Sequence, residues 1–268
     1  MRLGRSLFGG VTLIVSAHAG TGPVIVALVA AIWFSLVLVL FADERSSAPH
    51  PDTQNRRGRS APRPIREVFR GLGSTLLEAF RAKNIWLGLV FALLAGAGFE
   101  AVGAVAGSFL IDRDLAQAEV GVFLALPVVP AMLIGGLIGG ALSDRNRRVA
   151  VMVFLVLMAG AIVGLSAVAG GQRTAILALL GVVYFGIGLF VAASYALFMD
   201  PTNPRLGATQ FSTFMAATNG CESWAGFVVG RLIPSLGYAG AFITMAVISL
   251  LALPAVFAMR TPDRSPSM

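Results

Sequence analysis

The chain has 268 residues, of which 57% are hydrophobic and only 12% are charged, and its mean hydropathy is +0.83. A soluble domain carries about 25% charged residues, so this composition excludes an ordinary water-soluble fold and predicts an all-α membrane protein. The formal charge of +7 does not indicate nucleic-acid binding, because the basic residues lie between apolar stretches, as charges that set membrane topology do.

The first apolar stretch, residues 6–19, is shorter than a membrane span. It follows basic residues and ends on Ala17-His18-Ala19, so it can be interpreted as a signal peptide or as the tail of a longer membrane helix. An internal Gly-Gly pair and the immediate start of a second apolar stretch favour the helix tail. For His18 we expect a surface or packing role rather than a proton relay.

Seven longer stretches predict membrane-spanning helices, because a hydrocarbon core of about 30 Å requires about 20 apolar residues in a helix. These stretches are residues 22–42, 85–111, 120–142, 149–170, 174–199, 208–230 and 238–259. The predicted organisation is a partial helix and one span (1–42), a basic linker (43–84), a six-helix bundle (85–259) and a tail (260–268). The chain is therefore predicted to contain one span, a long linker and six further spans.

The linker has two parts. Residues 45–63 are polar, basic and rich in proline, which predicts a disordered segment. Residues 64–82 place apolar side chains three and four positions apart, which predicts an amphipathic helix. That helix either lies at the membrane surface or extends the next span into the cytoplasm.

The distribution of basic residues predicts the orientation. With alternating spans, fifteen Lys and Arg residues fall on one side of the membrane and three, Arg113, Arg173 and Arg231, on the other. The linker 43–84 and the C-terminus are therefore predicted to be cytoplasmic, in a multi-pass protein of the cell (inner) membrane.

A glycine-rich helix end and a charged turn occupy residues 135–148, with the sequence GGLIGGALSDRNRR. Two overlapping GxxxG pairs, Gly135/Gly139 and Gly136/Gly140, predict close approach of a neighbouring helix.

The turn itself carries Asp144, Arg145, Arg147 and Arg148. Asp144 stands just before the next helix, where a carboxylate can cap free N–H groups, and the arginines can anchor the turn on the cytoplasmic side. The alternative to a conformational role is capping and anchoring alone.

Two carboxyl groups lie within predicted spans. Charged groups at membrane depth are costly, so each is a functional candidate by default. Glu100 is near the centre of 85–111 among small residues, and burial there favours its neutral form, as a proton-coupling site requires. Glu222 lies in 208–230, one turn after Asn219. Each glutamate could instead bond a hydroxyl or indole group on a partner helix.

Residues 199–219 combine a turn with two prolines and a helix start that contains Gln210 and Thr213. The prolines end one helix and begin the next. Gln210 could face a central cavity or bond a neighbouring backbone group.

The 135–148 segment resembles the cytoplasmic signature loop of the major facilitator superfamily of secondary transporters. The Ala208-Thr-Gln-Phe211 run after a Pro-Arg turn, together with residues 98–112, is similar to the peptide–acetyl-coenzyme A–drug transporter family, which includes the AmpG-type muropeptide permeases. The resemblance implies that the charged turn locks and releases helix ends during alternating access. It departs from the usual pattern because no glycine separates Asn146 from Arg147, which puts the usual gating geometry in doubt.

Under the resemblance, Gln210 and Thr213 on one face and Asn219 and Glu222 on another would line or flank the transport cavity. The leading hypothesis is a proton-coupled symporter of a small organic solute, in a half or truncated form that needs a second copy or a separate first half. The alternative is a non-transporting remnant or accessory membrane protein. The sequence contains no Walker loop, no Cys or His pair at metal-ligand spacing and no catalytic constellation, so we expect no enzyme, metal or cofactor.

Overall fold

The structure is a computed structural model that describes residues 21–41, 83–200 and 207–259, together with Thr12, Ile14 and Val15. Within these residues the regular secondary structure is α-helical, as the composition predicts. Most of the apolar stretch 6–19, the linker through residue 82, Arg205 and the tail 260–268 lie outside the described residues, so the predictions made for them stay predictions.

The helix predicted over 22–42 is present as α1, Thr21–Phe41. Its 21 residues have a length of about 32 Å at 1.5 Å per residue, which matches the hydrocarbon core. Its central apolar segment is Ile25–Phe34.

Long apolar helical segments make up the rest of the described chain and match the spans predicted over 85–259. The first two segments are each interrupted once: α2 (Lys83–Leu94) with α3 (Ala97–Ile111), and α4 (Gln117–Ala125) with α5 (Val128–Ser143). Two continuous helices follow, α6 (Arg147–Ala167) and α7 (Arg173–Met199), and then α8 (Gly207–Leu250) and α9 (Leu253–Ala258). The interruptions fall beside Gly96, at Pro127 and just before Pro254, where glycine or proline weakens the helix.

The last segment, Gly207–Ala258, has 52 residues, which would be about 78 Å long as a straight helix and far exceeds one span. Gly237 breaks it, with φ 66° and ψ 177°, a backbone conformation that favours glycine. Before Gly237, Phe214 lies against Gly88 and Gly226 lies near Ala104. This part of α8 therefore runs in the same direction as α2 and α3.

After Gly237 the chain returns. The Tyr238 hydroxyl donates a hydrogen bond to Asp112 Oδ2 at 2.7 Å, and Ala246 lies against Gly98. The order of contacts along α3 is thus reversed, and the two parts of α8 are antiparallel. The structure therefore contains the two separate spans predicted over 208–230 and 238–259.

The most extensive packing within the bundle joins α5 to α7, and glycines make it possible. A Cβ atom added at Gly135 would lie 2.2 Å from the carbonyl oxygen of Phe185, and one at Gly139 would lie 2.4 Å from that of Leu189. A Cβ atom added at Gly188 on α7 would likewise lie 2.2 Å from the Met132 carbonyl oxygen. The first predicted GxxxG pair therefore brings the two backbones together, as small residues do in membranes.

The second predicted pair does not serve the same purpose. A Cβ atom at Gly136 would be 3.9 Å from the Gly188 carbonyl oxygen, which is an ordinary contact, and a Cβ at Gly140 would meet nothing within 4 Å. Only one stripe of a helix can face a given neighbour, and Gly135 and Gly139 occupy that stripe.

We expect Gly139→Ala to destabilise the purified protein by about 1–3 kcal/mol, because the new methyl group would push against backbone that cannot rotate away. The measurement is resistance to SDS-induced or thermal unfolding in detergent. Gly140→Ala is the matched control, one residue along the same helix, and should leave stability unchanged or slightly improved. Equal effects of the two substitutions would contradict the glycine contact between α5 and α7.

Candidate functional site

Glu100 is in the first turn of α3 and only 1% of its surface is exposed. It follows the interruption at Ala95–Gly96, where the span Lys83–Ile111 changes from α2 to α3. The N-terminal turn of a helix favours negative charge, so the interruption provides a local environment for a carboxyl group at membrane depth. An uninterrupted helix would place Glu100 without this electrostatic support.

The interruption frees backbone polar groups, and two side chains satisfy them. The indole Nε1 of Trp224 donates a hydrogen bond to the Leu93 carbonyl oxygen at 2.9 Å. The backbone N–H of Gly98 donates to Ser249 Oγ at 2.6 Å. An unsatisfied backbone group in a bilayer costs several kcal/mol, so these bonds from both parts of α8 stabilise the shape of the span beside Glu100.

Aromatic rings surround the carboxyl-bearing turn. The Phe190 ring centroid lies 5.8 Å from that of Phe99 and 5.9 Å from that of Phe91, and Phe198 lies 5.8 Å from Phe91. Phe198 also stacks on Phe214 of α8 at 4.8 Å. These separations are typical of favourable ring pairs and hold α2, α3, α7 and α8 around one small space.

That space is a cavity of about 20 Å³, and its lining includes Glu100 and the rings of α2, α3 and α7. Its volume is enough for one water molecule. Three hydroxyl-bearing residues, Ser194, Tyr195 and Thr218, also line it. Ser194 Oγ donates to the Phe190 carbonyl oxygen at 2.8 Å, and Thr218 Oγ1 donates to that of Met215 at 2.8 Å. We call this space and its lining residues the Glu100 cavity.

The structure separates the polar residues predicted on α8. Gln210 is buried, on the packed face that also carries Phe214. Thr213 and Glu222 are half-buried and Asn219 is exposed. Thr213 Oγ1 donates to the Thr209 carbonyl oxygen at 2.8 Å, a bond within its own helix.

None of these four residues lines the Glu100 cavity; Thr218 of the same helix does. The sequence pattern indicated the glutamate as a candidate, but it did not indicate that Ser194, Tyr195 and Thr218 are its neighbours. Serine and threonine in membrane helices commonly bond their own backbone, so their type alone does not indicate a site. Only the packing of α7 and α8 against α3 brings them to one cavity.

The charged turn of the 135–148 segment connects helix ends. Arg147 Nη1 donates to Asp200 Oδ1 at the end of α7, in an ion pair whose two side chains are each 30% exposed. The beginning of α6 and the end of α7 are therefore joined on the predicted cytoplasmic side. Asp144 and Arg145 are exposed in the turn.

The expected cap of α6 by Asp144 is wrong, because the N-cap residue is Asn146. Its side-chain oxygen accepts a hydrogen bond from the Val149 N–H at 3.2 Å. Asp144 instead ends α5 with helical backbone angles, so its carboxylate is two residues too early to reach the first turn of α6. Asn146, which precedes Arg147 directly because the usual intervening glycine is missing, thus has a structural role of its own.

A second ion pair, between Glu119 and Arg173, lies at the opposite end of α7. Glu119 accepts from Arg173 at 2.8 Å and from the Ala116 N–H at 3.0 Å, which joins the starts of α4 and α7. Within the described chain, no three His, Cys, Asp or Glu side chains cluster as a metal site would require.

Comparison with known proteins places these features in a family. The chain matches the Major Facilitator Superfamily over residues 3–229 and again over 111–267. It is 24% identical over 195 residues to the Rickettsia conorii protein that carries the name transporter AmpG 4, covering 69% of this chain and 45% of that protein. It is 26% identical over 191 residues to the 4-hydroxybenzoate transporter PcaK of Pseudomonas aeruginosa, covering 70% and 41%.

The matched segment thus spans less than half the length of either relative. The family match nevertheless includes all the long apolar helices of the bundle and the charged turn between α5 and α6. The chain therefore belongs to the major facilitator superfamily, as a multi-pass membrane protein.

Proposed function

We propose that this chain forms one six-helix half of a secondary transporter that moves a small organic solute together with protons. The observation that carries the proposal is Glu100, a carboxyl group that is 1% exposed and lines an aromatic cavity beside an interrupted span. Transporters of this class bind solute and coupling ion where helices are interrupted near the middle of the membrane. Glu100 follows such an interruption in the span Lys83–Ile111, which supports the proposal.

The surroundings of Glu100 support a role in binding a proton. The Glu100 cavity has room for one water beside the hydroxyl-bearing residues Tyr195 and Thr218. A change in the packing of α7 against α3 would alter access of water to this carboxyl group and so couple its protonation to helix movement.

The solute site would be formed with a second six-helix half. Gln210, Thr213, Asn219 and Glu222 are the polar candidates on α8, and the half-buried or exposed ones among them can face a partner bundle. The relatives indicate the solutes to test first: muropeptide fragments, from the AmpG resemblance, and 4-hydroxybenzoate, from the name of the Pseudomonas relative.

The charged turn supports the conformational part of the proposal. Arg147 is held by Asp200, whereas Asp144 and Arg145 are exposed. Exposed charges at the inner ends of helices can pair with a partner bundle in one transport state and separate in the other. The two bundles would rock around the central site.

A second candidate is an accessory membrane protein that folds as a six-helix bundle without transporting. The described residues contain one six-helix bundle, and one bundle supplies only part of a cavity wall, which favours this alternative. The retained carboxyl group and charged turn favour transport. Uptake measurements distinguish the two functions.

We expect membrane vesicles that contain the chain to accumulate labelled solute under an imposed proton gradient, and Glu100→Gln to lower this accumulation to the level of empty vesicles. The amide keeps the size of the side chain but cannot bind and release a proton. Labelled muropeptide and 4-hydroxybenzoate are the probes.

Glu119→Gln is the matched control, because Glu119 pairs with Arg173 away from the cavity and its loss should leave uptake near the wild-type value. Equal uptake by wild-type, Glu100→Gln and empty vesicles would contradict transport by this chain and favour the accessory protein. Full gradient-driven uptake by Glu100→Gln would contradict the proton role alone.

For the charged turn we expect Arg147→Gln and Asp200→Asn to be non-additive in stability, with a coupling free energy of about 1 kcal/mol, as for a partly exposed ion pair. The measurement is a double-mutant cycle of detergent unfolding. Arg145→Gln combined with Asp200→Asn is the control pair and should be additive, because Arg145 is exposed and makes no ion pair among the described residues. Coupling near zero for Arg147 and Asp200 would show that the pair does not stabilise the inner ends of α6 and α7.

A further inference from the structure

An apolar groove of about 650 Å³ runs between α6 and α9, away from the residues assigned to transport. Its lining is formed by Met152, Val153, Val156 and Leu157 of α6 and by Leu253, Pro254 and Phe257 of α9. Several of these side chains are well exposed, including Leu157 at 59% and Phe257 at 73%. In a membrane such a groove is open to acyl chains.

An arginine stands at one end of the groove. Arg148 precedes Met152 and Val156 by one and two helical turns on the same stripe of α6, since residues four apart share a helix face. Its guanidinium carbon lies 5.4 Å from the centre of the Phe257 ring. The groove therefore has one charged end and an apolar remainder.

The partners of Arg148 leave its charge available. A cation–π contact uses the face of the guanidinium, whereas the N–H donors point outward in its plane. The Nε atom is buried and has no hydrogen-bond partner among the described residues. The neighbouring Arg147 is paired with Asp200, so that carboxylate already has a cationic partner.

The length of the groove fits one lipid chain. From Arg148 to Leu157 the helix rises about 14 Å, close to half of a hydrocarbon core of about 30 Å. A lipid whose headgroup lies beside Arg148 would thus extend one acyl chain along the groove to about the middle of the bilayer. Arg148 is on the predicted cytoplasmic side, where anionic lipids are concentrated.

We propose that this groove is a binding site for one anionic phospholipid, with the phosphate at Arg148 and an acyl chain between α6 and α9. The charge at one end selects the headgroup, and the apolar lining selects a chain rather than a soluble phosphate. The proposal does not depend on solute transport, because the groove shares no residue with the Glu100 cavity.

The test is native mass spectrometry of the full-length protein in detergent, titrated with phosphatidylglycerol or with phosphatidylcholine of the same acyl chains. We expect the wild-type protein to retain one phosphatidylglycerol about fivefold more tightly than phosphatidylcholine, as one basic residue near a lipid headgroup provides. Arg148→Gln should remove this preference, and Arg148→Lys should keep most of it. Arg145→Gln, an exposed arginine in the same turn, is the control and should bind like wild type.

A second pair of variants tests the apolar part. Val156→Trp fills the groove from an exposed position and should reduce retention of both lipids. Val163→Trp, on the same helix outside the groove and 44% exposed, should not. Monodisperse elution in size-exclusion chromatography establishes that each variant is folded.

Four results would overturn the proposal. The first is equal retention of the two lipids by wild type, and the second is an equal loss in Arg145→Gln and Arg148→Gln. The third is unchanged lipid retention in Val156→Trp. A protein dimer that Val156→Trp dissociates would also overturn it, because a second copy would then occupy the groove.

Discussion

Inside a bilayer the backbone must satisfy its own hydrogen bonds, and the bundle depends on how this is done where the span Lys83–Ile111 is interrupted. Trp224 and Ser249 bond the freed groups of Leu93 and Gly98. The two side chains come from the antiparallel parts of α8, so the fold around Gly237 and the interruption stabilise each other. The turn that carries Glu100 is held in place by the same bonds.

Among the described residues the ion pairs lie at helix ends, and close packing holds the apolar middle. The pairs Arg147–Asp200 and Glu119–Arg173 lie at opposite ends of α7, where water lowers the cost of charge. Between them, Gly135 and Gly139 allow the α5 backbone to touch that of α7. This division leaves Glu100 as the buried carboxyl group within the described spans, which is why the proposed proton role is assigned to it.

The three proposed roles fall on three regions of the bundle, of which the charged turn and the groove meet at Arg148. Proton binding is assigned to the Glu100 cavity, conformational coupling to the charged turn, and lipid binding to the groove between α6 and α9. No residue of the cavity lining is shared with the groove. The proposed solute site differs from all three because it would include surface from a second six-helix half.

Hydropathy and glycine spacing were sufficient to predict the helical class, the spans of the bundle, the approach of a helix to Gly135 and Gly139, and a carboxyl group at membrane depth. Each of these properties can be recognised from residues that are close together in the sequence. Lipid requires long apolar helices, and small residues allow a neighbouring helix to approach. The capping of α6 by Asn146 and the interruption before Glu100 depend on local geometry that hydropathy does not resolve. The hydroxyl-bearing neighbours of Glu100, the partner of Arg147 and the groove at Arg148 were decided only by the tertiary structure, because each joins residues that lie 53 or more positions apart in the sequence.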